Sequence, residues 1–111
     1  MASYSIQLRK DGITLVDAVQ AKNALALMLQ DRRYVSYERE GKLVFSRIED
    51  LDVRAWPDTT VEIADKGDYF VFTFSISPVK SFLFIPVGTN KRLKFHIDKE
   101  VLPEWKYLRK D

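Results

Sequence analysis

The chain has no cysteine, four glycines, four prolines and one histidine in 111 residues. Without cysteine there is no disulfide, no thiolate nucleophile, no iron–sulfur cluster and no cysteine-ligated zinc. The absence fits a reducing compartment. Four glycines leave little room for a nucleotide cradle. Gly88-Thr89-Asn90-Lys91 lacks the glycine spacing of a phosphate loop, and no helix is expected after it. Long apolar runs are missing too. The longest, 24–29 and 82–87, are six residues each, against about 20 for a membrane-spanning helix. The first residues, MASYSIQLRKDG, hold no apolar core of signal-peptide length. A cytoplasmic protein with no membrane partner is expected.

What is present suits a globular chain. The length fits a single domain spanning 1–111, and a chain of this size buries roughly two-thirds of its unfolded surface. Hydrophobic residues make up 46% and charged residues 31%, a balance that argues against disorder. Aromatics reach 13% and, with many β-branched residues, lean toward sheet. Net charge is +2 but unevenly spread. Residues 1–90 hold 11 Lys/Arg against 12 Asp/Glu, a balance of −1, and residues 91–111 hold 7 against 4, a balance of +3. Within the first part, 49–68 hold 2 cations against 7 acids, a balance of −5. An acidic middle and a basic end therefore share one short chain.

Periodicity orders the chain as strand, helix, then strands. Tyr4, Ile6 and Leu8 alternate with polar residues, predicting a strand before the turn signal Asp11-Gly12. Thr14-Leu15-Val16-Asp17 matches a capping box, and Ala18, Ala21, Leu25, Met28 and Leu29 mark one helical face, widened by Ala24 and Leu27. That helix is expected to end near Gln30 or Asp31. Strands 34–38 and 43–48 flank Glu40-Gly41, a hairpin signal. Pro57-Asp58 is read as a stop after the ambiguous stretch 48–56. Strands follow at 59–64, at 69–77 and at 81–87, where Pro86 marks an edge or bulge. Leu93, Phe95 and Ile97 alternate with Arg92, Lys94 and His96, predicting one more half-exposed strand. The expected fold is α+β: one helix in the N-terminal half on a mostly antiparallel sheet of about six or seven strands.

One stretch, KGDYFVFTF at 66–74, nearly matches the signature strand of the RNA-recognition motif. The match fails where bases would stack, because Asp68 and Thr73 hold those positions and bulky Tyr69 holds a small-residue one. Phe70, Phe72, Phe74 and Ile76 read instead as a core-facing row.

No catalytic signature emerges. His96-x-Asp98 could offer two metal ligands, but a lone histidine without cysteine makes a weak site, and no nucleophile elbow or Ser-x-x-Lys accompanies it. An exposed strand histidine is the simpler reading. The acidic segment lacks calcium-loop spacing. No metal, cofactor or catalytic residue is assigned. Arg92, Lys94, His96, Lys106 and Arg109 form a candidate basic patch, with Lys99 and Lys110 expected nearby and Arg32, Arg33 and Arg39 as a second cluster that could add to it. Trp56, Trp105 and Tyr107 flank chain breaks and are candidate interface anchors. The expected function is a small non-enzymatic module for protein binding or self-assembly, because complementary charges and sheet edges both favour association. Accessory and inhibitor proteins of phages and mobile elements are of this kind. The alternative is a nucleic-acid-binding accessory domain using the basic C-terminal strand and tail.

Overall fold

The structure, a computed structural model, describes residues 2–10, 15–47, 56–76 and 90–103. The element order is β1 (Ala2–Arg9), α1 (Ala18–Asp31), β2 (Val35–Arg39), β3 (Lys42–Arg47), β4 (Trp56–Asp65), β5 (Tyr69–Ile76) and α2 (Asn90–His96), which runs on as a π-helical turn, Ile97–Val101. The strands form one antiparallel sheet in the order β1-β5-β4-β3-β2. The α+β class is as expected. The details differ: among the described residues there are five strands and two helices. The stretch read as a strand at 81–87 lies outside the described residues, as do 48–55.

Alternation assigns the sheet's two faces. Phe70, Phe72, Phe74 and Ile76 are all buried, and register places Ile6 and Ile63 beside Phe72, with Tyr4 and Val61 beside Phe74. Leu25 and Leu29 of α1 and Leu93 and Ile97 of the C-terminal segment join these residues in one buried cluster. Both helices thus cover the same face. The RNA-recognition near-match is a turn and a core strand: Gly67 takes φ +102°, its N–H donates to Asp65 Oδ1 at 3.0 Å, and the phenylalanine row points inward.

The hairpin between β2 and β3 is a two-residue turn with positive φ at Glu40 (55°) and Gly41 (79°). That is the primed geometry whose twist matches paired strands. Pro57 does not stop a strand. It sits inside β4 at a register shift, where Phe45 opposes Thr59 and Arg47 opposes Trp56. A bulge tolerates a residue that has no N–H to donate.

Helix α1 starts one turn later than the Thr14 reading. Asp17 is the N-cap, accepting from the Gln20 N–H at 2.9 Å, and Gln20 Oε1 accepts from the Val16 N–H at 2.9 Å. Asp17 and Gln20 thus form a variant of the box, in which the amide bonded by Gln20 is that of Val16 and not of the N-cap itself. Ala21, Leu25 and Leu29 face the core, but Leu27 is 64% exposed and points away from it. The helix ends in a Schellman turn: Tyr34 N–H donates to Leu29 O at 2.9 Å and Arg33 N–H to Gln30 O at 3.1 Å, with Arg33 at φ 66°. This left-handed step turns Tyr34 down into the core beside Leu29.

Candidate binding surface on the second helix

The region predicted as a strand over Arg92–Ile97 is helical. Leu93, Phe95 and Ile97 do alternate, but Leu93, Ile97 and Val101 also recur at helical spacing, and these three are fully buried. Phe95, assigned by alternation to the same face, is 63% exposed. Burying Leu93, Ile97 and Val101 on one stripe satisfies the core without Phe95. Asn90 and Lys91, read as part of a turn, open the helix.

Four contacts fix the segment to the sheet and its hairpin. Ser3 N–H donates to Asn90 Oδ1 at 2.9 Å, and Tyr4 Oη donates to Asp98 Oδ1 at 2.9 Å. Tyr34 Oη lies 2.8 Å from His96 Nε2, and Arg47 Nη2 donates to Glu100 Oε2 at 3.0 Å. His96 is thus buried, only 6% exposed, and not the solvent-facing histidine expected. Burial first, then the Arg47 and Arg92 cations, push its pKa down to about 3. The ring is neutral near pH 7. Glu100 Oε2, an acceptor, faces Nδ1 at 3.4 Å, so the proton sits on Nδ1 and Nε2 accepts from Tyr34. Burial also pushes Tyr34 up to about 12. The Arg47 guanidinium lies 4.9 Å from the Tyr34 ring centroid, and the Phe45 ring meets the Tyr34 ring edge-on.

These groups have no poise for proton transfer near neutrality, where a general acid or base works best. Their chemistry is that of an anchor. Among the described residues no three His, Asp or Glu side chains gather in a metal-ligating arrangement, and no helix is long and apolar enough to cross a membrane.

The opposite side of the same segment is open to solvent. Lys91, Arg92, Lys94, Phe95 and Lys99 are all exposed. Lys91 and Lys99 stand four residues either side of Phe95, so cations flank an unburied aromatic ring. Among the described residues, Lys91, Lys94 and Lys99 make no ion pair. The acids of β4 and its turn differ. Asp65 is 2.7 Å from Lys10 Nζ, which with the Gly67 N–H holds its carboxyl below the usual range. Glu62 is 2.8 Å from Lys42 Nζ.

Of the residues proposed as a basic patch, Arg92 and Lys94 lie on this outer face and His96 on the buried one. Lys106 and Arg109, with Trp105 and Tyr107, lie outside the described residues. Trp56 opens β4 opposite Arg47, and its side chain lies outside the description. The sequence reading placed Lys99 near the patch but missed Lys91 and Phe95 as members of the face. Helical spacing about Phe95 was the signal that could have found them. Comparison with protein-family models, curated proteins and solved structures returns no match to this chain.

Proposed function

We propose that the protein is a non-enzymatic binding module that engages an anionic macromolecule through the outer face of α2. The observation that carries this reading is the exposed Phe95 ring among Lys91, Arg92, Lys94 and Lys99. The cations supply long-range attraction and the ring supplies contact. Self-association by charge complementarity has less support, because Glu62 and Asp65 already have cations of their own chain beside them. Retention on a heparin column tests the module reading. The triple variant Lys91→Gln/Lys94→Gln/Lys99→Gln is expected to elute at clearly lower salt than the parent. Equal elution of the two refutes the reading.

A second reading, self-assembly of two copies, is favoured by a different observation. Leu27 is 64% exposed on the outward side of α1, and Val19 of the same helix and Val16 just before it are 60% and 64% exposed, where a helix–sheet layer alone in water would carry polar residues. Sedimentation velocity decides it: a dimer that Leu27→Lys converts to monomer supports the reading, and a monomer at every concentration removes it.

A further inference from the structure

We infer that the anionic partner of α2 is a single-stranded nucleic acid, with Phe95 stacking on a base and Lys91, Lys94 and Lys99 meeting phosphates. The inference rests on the binding-module reading and narrows it to one class of polyanion.

Three properties of the face select that class. First, the α-helical rise of 1.5 Å per residue sets Lys91 and Phe95 about 6 Å apart along the axis, and Lys99 follows four residues on within the π-helical turn, so one strand can meet cation, ring and cation in turn. Second, the ring is exposed, and a flat apolar ring gains most from another flat surface. A peptide of acidic residues alone would satisfy the lysines and leave the ring without a matching face, and exposed ion pairs alone are weak. Third, bases inside a duplex are already stacked on one another, so an exposed ring finds no free base face there. Among nucleic acids, a ring in this position is rewarded by an unstacked base.

A lipid surface fits poorly. The apolar stripe of this helix, Leu93, Ile97 and Val101, is fully buried in the core. Phe95 is the one large apolar side chain facing outward on α2, and one ring gives little to insert among lipids.

The test is fluorescence anisotropy of a fluorescein-labelled oligothymidylate titrated with the full chain across a salt series. Binding is expected at low salt, with the logarithm of affinity falling linearly against the logarithm of salt concentration. Phe95→Ala is expected to weaken binding about tenfold while Phe95→Trp retains it. The Lys91→Gln/Lys94→Gln/Lys99→Gln variant is expected to reduce the salt slope by about 2, at roughly 0.7 per phosphate contact. Phe95 is exposed, so these substitutions leave the core intact, and circular dichroism verifies that. Absence of binding at low salt overturns the inference, as does full affinity in Phe95→Ala. Equal or tighter binding to duplex, equal displacement by polyglutamate, or preferential binding to anionic vesicles overturns it too. If heparin retention by these lysines persists in any of those cases, the module reading stands and only the nucleic-acid assignment falls.

Discussion

The Tyr34 hydroxyl meets His96 Nε2 at 2.8 Å, joining residues 62 apart in the chain. This contact links the end of α1 to the inner side of α2, the helix whose outer side carries the cations. Removing the hydroxyl leaves a buried imidazole nitrogen without its donor. Tyr34→Phe is therefore expected to lower stability by about 1–3 kcal/mol, read from the urea midpoint. Tyr34→Phe/His96→Leu should cost less than the sum of its single substitutions, because each single change strands a polar partner.

Acid should weaken the fold through the same histidine. In the unfolded chain His96 takes up a proton near its usual 6.5, whereas in the folded chain it resists protonation until about 3. Between those values the unfolded state binds more protons, so stability falls as pH is lowered. One such proton contributes at most about 1.4 kcal/mol per pH unit. His96→Gln keeps an acceptor for Tyr34 and removes the titration. Its urea midpoint should change less than the parent's across that window.

Arg33 holds φ 66° at the end of α1, a region that costs a side-chain-bearing residue. Arg33→Gly is expected to raise stability by about 1 kcal/mol, because glycine adopts that backbone freely. Thermal unfolding followed by circular dichroism should show a higher midpoint. A lower one would mean that the arginine side chain stabilises the turn by more than its backbone costs.

Two phenylalanines give opposite expectations for one substitution. Phe72 is fully buried and Phe95 is 63% exposed. Phe72→Ala should cost about 3–5 kcal/mol through lost contacts and a cavity. Phe95→Ala should move the denaturation midpoint by less than about 0.5 kcal/mol.

The contrast between these residues also explains which parts of the fold were legible in the sequence. Phe70, Phe72, Phe74 and Ile76 alternate over eight residues of β5 after the clear turn at 65–68, and no helical face fits that row. Glu40-Gly41 announced its hairpin because that turn needs positive φ at both residues. Around Phe95 the pattern fits both periods: 93/95/97 suits a strand and 93/97/101 suits a helix. The choice depends on the packing of Leu93, Ile97 and Val101 into the distant core, which no local window contains. The burial of His96 was hidden for the same reason, since its partner Tyr34 arrives from the far end of α1. Asp17 and Gln20 were readable as a cap, but Thr14 and Asp17 offered the same signature one turn earlier.

Asn90 has an effect beyond opening α2. By accepting the Ser3 amide at 2.9 Å, it occupies an outward-facing donor of β1, one of the sheet's two edges. A strand arriving at that edge would have to displace the helix start. Growth of the described sheet on its β1 side is therefore opposed by the chain's own second helix, one way a fold limits edge-to-edge pairing.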